Sequence, residues 1–393
     1  MQVGSRMKKL LFYSHDSYGL GNIRRMVAIA SFLVNRHRDL FILLLTGSPM
    51  YHAFRTHPQI DYVKLPCLSR DMSGEYQPRL KCFQPSQLKS LRAQLILSTF
   101  NEFKPDLCLI DKKPTGLSGE LSPIFNACDT CSKCNLILLL RDILDSPTKT
   151  KQIWEKHQYH RTIEQHYDEV LVVGDESVFD LPKEYDFPST VKSKTSFCGY
   201  LSKPVTDLIP SPFESTESSK QVVIAVGGGN DGEVLIDTYL NTLEIADFPE
   251  HLHHHIVLGP EMDDETADRL TSKANQHKHT TVERFNPDFI SLISNADLVI
   301  SMAGYNTVCE LMSCNTPAIL IPRSVPVEEQ LIRAQKLSGK GKFEYLDKEE
   351  MTPNDLLRRM HLLLFDKRAT YPTKEVNRRG MYVIEDKILS YLL

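Results

Sequence analysis

No stretch of this 393-residue sequence is both long and apolar enough to cross a bilayer. The longest apolar runs, LFILLL at 40–45 and LILLLRD at 136–142, fall far short of the roughly 20 residues a membrane helix needs. An excess of positive charge is also missing: 46 Lys and Arg stand against 50 Asp and Glu, a formal net charge of −4. That balance leaves no electrostatic footprint for a polyanion and excludes nucleic acid as the expected partner. The start, MQVGSRMKKLLFYSHDS, lacks a small-residue cleavage site and reads as a first strand rather than an export signal. Nine cysteines, an odd count without such a signal, point to reduced thiols in the cytoplasm. No repeat of solenoid period and no Asp-x-Asp metal motif is present.

What is present is alternation. Hydrophobic residues make up 41% and charged residues 24%, ordinary for a globular protein, and the length suits two domains. Short apolar runs alternate with amphipathic segments, as in a parallel sheet covered by helices. The first half gives strands near 9–15, 40–47, 60–66, 106–111, 136–142, 169–175 and 195–201, with helices such as 22–36 and 86–103. Ser and Pro then crowd SKPVTDLIPSPFESTESSK, predicting a linker at 202–220. A second alternation predicts strands at 221–229, 255–260, 280–285, 297–304 and 317–322. The domains expected are therefore 1–201, the linker 202–220, 221–375, and a closing helix at 376–393 packing back on the N-terminal domain.

Three strand-to-helix turns carry chemistry. In SHDSYGLGNIRR (14–25), Gly19 and Gly21 let the backbone approach a ligand, and His15 and Asp16 share the loop. The third glycine of a dinucleotide fingerprint is absent, and a plain tight turn also accounts for the pair. VGGGNDGEV (226–234) puts Gly227, Gly228, Gly229 and Asn230 between an apolar strand and a helix, the setting of an anion-binding backbone nest. No Lys-Ser/Thr follows, so it is not a P-loop. In SMAGYNTVCELM (301–312), Ala303 and Gly304 end a strand and Tyr305, Asn306 and Thr307 open a helix. Its N–H groups and dipole suit a diphosphate. Glu310 follows among apolar neighbours, as a bidentate acceptor for ribose hydroxyls or as a salt-bridged structural acid.

Other features admit plainer readings. CDTCSKC holds Cys128, Cys131 and Cys134 at metal-like intervals without a fourth ligand, so free loop cysteines are expected. HLHHH (251–255) is expected as a solvated loop ahead of a strand. In RDILDSP, Arg141, Asp142 and Asp145 face an acceptor or cap a helix. The helix at 84–97 is expected to bury leucines and to turn Lys89 and Arg92 outward.

SMAGYNTVCELM…PAILIP…VEEQ resembles the C-terminal domain of GT-B glycosyltransferases. The family in question contains the bacterial UDP-N-acetylglucosamine transferase of peptidoglycan lipid-intermediate synthesis, the glycosyltransferase family 28 C-terminal type. SHDSYGLGNIRR, LRDILDSP and FCGYL are similar to N-domain hallmarks of a set of predicted bacterial glycosyltransferases in that group. The resemblance implies that Glu310 binds the ribose, Phe285 and Asn286 hold the base, and Gly304 to Thr307 bind the diphosphate. It further implies that Glu329 and Gln330 contact the donor sugar, and that Gly227 to Gly229 and Gly19 and Gly21 form the glycine loops. Two positions depart from the family: Glu329 replaces a glutamine, and Asn22 stands in the N-domain turn where a histidine is usual. An amide cannot take a proton at neutral pH, so the base role either moves to His15 or Asp16 or is lost.

The expectation is an α/β protein of GT-B fold, two Rossmann-like parallel-sheet domains facing a central cleft. It is expected to be an inverting, metal-independent glycosyltransferase, of hexosyl or N-acetylhexosaminyl type, moving a sugar from a UDP-sugar to a hydroxyl. The acceptor would be a glycan, a lipid-linked molecule or a small molecule. No tightly bound cofactor is expected beyond the UDP-sugar co-substrate. Membrane contact is expected to be at most peripheral, at the inner face. The alternatives are a nucleotide-sugar-binding, non-catalytic subunit and a UDP-sugar 2-epimerase of the same fold.

Overall fold

The computed structural model describes residues 6–15, 21–49, 57–70, 76–131, 134–202, 220–229, 231–245, 248–314, 316–340, 342–365 and 375–393. The predicted linker therefore lies almost wholly outside the described residues, as do Asp16, Gly19 and Asn230. Contacts divide the chain into two units. One holds the described residues up to Glu176, Asp180–Gly199 and Arg379–Leu393; the other holds Ser177–Phe179 and the described residues from Tyr200 to Arg378.

The first unit runs β1 (Lys8–Ser14), α1 (Gly21–Arg36), β2 (Leu40–Thr46), β3 (Ile60–Lys64), β4 (Leu68–Arg70), β5 (Tyr76–Pro78), α2 (Pro85–Phe103) and β6 (Leu107–Asp111). It continues with α3 (Ser122–Cys131), β7 (Asn135–Arg141), α4 (Pro147–Lys156), α5 (Tyr159–His166), β8 (Glu169–Val173), α6 (Leu181–Glu184), α7 (Ser189–Ser193) and β9 (Thr195–Phe197). Seven strands form a parallel sheet in the order β3-β2-β1-β6-β7-β8-β9, and β4 and β5 make a separate antiparallel pair. Leu10 to Tyr13 and Leu107 to Ile110 are all buried. Continuous apolar strands are what a parallel sheet covered on both faces requires.

The second unit runs β10 (Lys220–Ala225), α8 (Glu233–Glu244), β11 (Leu252–Val257), α9 (Asp264–Ala274), β12 (Thr280–Glu283), α10 (Phe289–Ser294) and β13 (Leu298–Ser301). It closes with α11 (Tyr305–Cys314), β14 (Ala318–Leu320), α12 (Glu329–Leu337), β15 (Phe343–Tyr345) and α13 (Pro353–Phe365). Its sheet order is β12-β11-β10-β13-β14-β15, all parallel. The core packs β10 and β13 against α8, α9 and α13 through Val222, Ile224, Tyr239, Leu270, Ile300 and Leu356. The last helix, α14 (Gly380–Leu392), belongs to the first unit. There Glu385 receives Arg36 Nε and His37 Nε2, each at 2.6 Å.

Three expectations give way. HLHHH is no loop: His253 to His255 lie inside β11, and His254 is buried. Its Nδ1 lies 2.6 Å from the Tyr239 hydroxyl, because alternation along a strand turns every second side chain inward. Arg92 does not face outward on α2 but is buried, gripping Glu120 through Nε at 2.5 Å and Nη2 at 2.7 Å. Glu120 in turn accepts from Tyr13, and a buried guanidinium is tolerable only with such partners. Cys128 and Cys131 sit on α3, not in a loop. Cys134 pairs with Cys108 instead, Sγ to Sγ 3.5 Å. Among the described residues no three metal-binding side chains gather, and no helix is long and apolar enough to cross a membrane.

Candidate functional site

In an open parallel sheet the ligand crevice opens beyond the strands' C-terminal ends, where neighbouring strands send their connections to opposite faces. In the second unit that point falls between β10, whose chain continues to β11 on one side, and β13 on the other. The loop after β10 is the glycine loop, and the chain after β13 opens α11. The sheet order thus brings together two sequence-predicted segments that lie about 75 residues apart.

Within the glycine loop the three glycines do different things. Gly229, at φ +106°, could not carry a Cβ, which would stand 2.7 Å from the Leu258 carbonyl. The carbonyl of Gly228 accepts from Glu261 N at 2.7 Å, locking the loop to the chain after β11. A side chain on Gly228 would meet the Glu261 carboxylate at 3.0 Å. Gly227, at φ +67°, faces open space. Backbone packing thus explains Gly229, a side-chain carboxylate crowds Gly228, and Gly227 has open space among the described residues.

The start of α11 is built differently. Val308 N donates to Gly304 O at 3.0 Å, the first turn of the helix, so the N–H groups before it have no acceptor within the helix. A Cβ on Gly304 would meet only Thr307 Oγ1, at 3.9 Å. Beneath the opening, Arg333 is fully buried. Its Nη1 donates to Ala303 O and to Glu329 Oε2, both at 2.8 Å. The same guanidinium covers the Tyr305 ring at 5.6 Å, and Tyr305 stacks on Tyr200 with centroids 6.0 Å apart. Ala303 and Tyr305 are thereby fixed from below, while Asn306 and Thr307 stay partly exposed. Glu310 is half-buried further along α11. Burial, and then the Glu310 carboxylate, push the Cys314 thiol up to about 12, which places acid and thiol close together on one helix face.

The Glu329 carboxylate, expected at the donor sugar, is buried against Arg333, with Oε2 2.8 Å from Nη1. The neighbouring Gln330 is 7% exposed, and its Oε1 is buried with no hydrogen-bond partner among the described residues. Such an atom costs about 1–3 kcal/mol unless something meets it. Phe285 projects from the loop after β12, 52% exposed. The Asn286 amide is occupied by its own turn, Nδ2 donating to Glu283 Oε1 at 2.7 Å and Oδ1 accepting from Asp288 N at 2.9 Å.

In the first unit the corresponding edge lies between β1 and β6. His15 follows β1, buried, with Nε2 3.4 Å from the Tyr76 hydroxyl. Lys113 lies over the Tyr76 ring at 5.6 Å. Asn22 uses both ends of its amide. Its Nδ2 donates to His15 O at 2.6 Å, and its Oδ1 accepts from Arg25 Nη2 at 3.2 Å. Arg25 is itself held by buried Asp111 at 2.5 Å. By donating to the chain after β1 and accepting within α1, the Asn22 amide ties β1 to α1. Gly21 is exposed at the first turn of α1. Asp142 is buried under Gly174, where an added Cβ would stand 2.6 Å from the Asp142 Cβ. Asp145 accepts from Ser146 N at 2.7 Å, and Ser146, not either acid, is the N-cap of α4. Arg141 remains half-buried at the end of β7.

Sequence reading missed Arg333, Arg25 and Tyr76. Glu329 and Arg333 stand four apart on one helix, a visible pairing signal, but nothing in the spacing announces their burial.

Residues 222–388 match the glycosyltransferase family 28 C-terminal domain. Over 100 residues the chain is 34% identical to a UDP-N-acetylglucosamine–N-acetylmuramyl-(pentapeptide) pyrophosphoryl-undecaprenol N-acetylglucosamine transferase of Lachnoclostridium phytofermentans. That match covers 25% of this chain and 28% of the relative, so the chain spans well under half of the length of the relatives that it first matches. Among solved structures, MurG of Acinetobacter baumannii superposes with a TM-score of 0.61 at 16% identity, covering 98% of this chain and 99% of that one. A putative UDP-N-acetylglucosamine 2-epimerase from Listeria monocytogenes gives 0.62 at 11% identity, covering 99% and 96%. The fold is GT-B, and both kinds of enzyme share it.

Proposed function

We propose, from a chain whose residues 222–388 are a glycosyltransferase family 28 C-terminal domain on a GT-B fold, that it transfers a sugar from a UDP-sugar to a hydroxyl acceptor. The observation that carries this is the start of α11. An open, unobstructed backbone at Gly304 leads a helix whose half-buried acid, Glu310, follows on the same element. The diphosphate would sit on the N–H groups of Gly304 to Thr307, where the helix dipole stabilises it both in the donor and as the departing group. Glu310 would accept from the two ribose hydroxyls, Phe285 would cover the base, and Gln330 would meet the sugar with its unsatisfied oxygen.

Transfer needs a second action. The acceptor hydroxyl must lose its proton as it attacks the anomeric carbon from the face opposite the leaving diphosphate, which inverts that carbon. Residue His15 is the base in this reading, with Asp16, outside the described residues, as its alternative. What supports it is the place of His15, buried just past the end of β1 with Nε2 3.4 Å from the Tyr76 hydroxyl. Fold likeness alone does not separate transfer from epimerisation; the family match over residues 222–388 favours transfer. The acceptor in this reading is a glycan, a lipid-linked molecule or a small molecule with a free hydroxyl.

A thermal-shift panel of UDP, GDP, TDP and CMP with their sugar derivatives tests the donor site, because a ligand that binds only the folded state raises the melting temperature. UDP compounds should stabilise selectively, and Glu310→Ala should abolish the effect. A flat response to every nucleotide refutes the reading.

A further inference from the structure

The ion pair between Arg323 and Asp231 has no part in the site as described so far. Arg323 Nη1 lies 2.9 Å from Asp231 Oδ2, with both side chains about a third exposed at 31% and 30%. Asp231 follows the glycine loop after β10, and Arg323 follows β14. One strand, β13, lies between these two. The ladder stays closed up to its end: Ile321 N donates to Ser301 O at 2.9 Å, and Met302 N to Ala225 O at 3.4 Å. Arg323 is two residues beyond the first of these bonds. To meet Asp231 it must reach across the end of β13, where Ala303 and Gly304 lead into α11. The pair therefore places a guanidinium beside that helix start.

Charge is distributed unevenly around this point. Asp231 and Glu261 flank the glycine loop, Glu261 pressing on Gly228, so an anion would meet carboxylates there. The offsetting cation comes from the chain after β14 and reaches to Asp231. Arg323 Nε is buried with no hydrogen-bond partner among the described residues. The guanidinium thus keeps a donor in reserve while Asp231 occupies Nη1.

We propose that Arg323 is the cation that recognises the diphosphate of the donor, and that Asp231 is the counter-ion that neutralises it until the diphosphate displaces the carboxylate. This rests on the reading of the second unit as a nucleotide-sugar site. It assigns phosphate discrimination to the start of α11 and the Arg323 guanidinium. In the ligand-free protein the carboxylate neutralises the guanidinium. A diphosphate carries more charge than Asp231 and also gains the helix N–H groups, so it outcompetes the carboxylate.

Calorimetric titration of the full chain with UDP, uridine and inorganic pyrophosphate tests this. Arg323→Met should weaken UDP and pyrophosphate about 10- to 100-fold, the range of one charge-assisted hydrogen bond, and leave uridine unchanged. Arg323→Lys, which keeps the charge, should recover part of the loss. Asp231→Asn should tighten both anions a few-fold by removing a competing charge. Ligand-free melting temperatures show whether each variant is folded. Equal UDP-to-uridine affinity ratios in the unmutated chain and in Arg323→Met overturn the assignment, and weaker anion binding by Asp231→Asn overturns the role given to that acid. Arg323-dependent pyrophosphate binding without UDP selectivity would sink the uridine reading and leave Arg323 standing. No anion binding at all sinks both.

Discussion

Removing the Glu329 carboxylate should unfold the second unit far more easily than its place on a helix surface would suggest. Glu329 and Arg333 form an i, i+4 pair whose side chains are 6% and 0% exposed. An exposed pair of this spacing contributes about 0.3–0.5 kcal/mol. Burial changes the arithmetic: breaking a buried pair from one side leaves an uncompensated charge and costs about 3–5 kcal/mol. In Glu329→Ala the guanidinium keeps Ala303 O and the Tyr305 ring, so a loss of about 3 kcal/mol is expected. With a urea m-value of about 2 kcal/mol/M, the midpoint falls by about 1.5 M. The single tryptophan of the chain, Trp154, lies on α4 in the first unit. Its fluorescence therefore follows that unit, while far-UV circular dichroism follows both. The dichroism transition should move to lower urea and the Trp154 transition should move less. A double variant, Glu329→Leu with Arg333→Met, should recover at least half of the loss, because an apolar pair leaves no charge behind. A Glu329→Ala midpoint within 0.3 M of the unmutated chain (about 0.6 kcal/mol) would refute the argument, as would a double variant weaker than the single one.

Two further outcomes follow from buried groups and tight turns. Burial first, then His277, His253 and His279, lower the His254 imidazole to about 4. The fold holds it neutral, so its contribution is full above the unfolded value of about 6.5 and is lost as pH falls from there toward 4, about 2 kcal/mol by pH 5. Urea midpoints at pH 7 and 5 read this. His254→Leu should start lower, since the Tyr239 hydroxyl loses its partner, but should fall less between the two pH values; an unchanged slope contradicts the assignment. Gly229→Ala forces a Cβ to 2.7 Å from a carbonyl at φ +106° and should cost about 3 kcal/mol. Gly227→Ala, at φ +67° with open space around it, should cost only about 1 kcal/mol, and equal melting temperatures for the two would show the loop to be packed otherwise.

The sequence by itself determined the alternation of apolar strands and amphipathic helices, because periodicity is local and each element must present its own apolar face. It also located the glycine loop after β10, the opening of α11 and Glu310 on that helix, since turns and helix starts are written in residues a few positions apart. Only the tertiary structure decided which polar groups are already engaged. Glu329 is held by Arg333, Asn22 by His15 and Arg25, Arg92 by Glu120 across 28 residues of chain. Asp231 meets Arg323 across 92. Strand alternation likewise turned His254 inward where its run of histidines reads as solvated. A side chain's partner depends on which strands lie side by side, and strand order is fixed by the packing of the whole sheet rather than by any short stretch of chain.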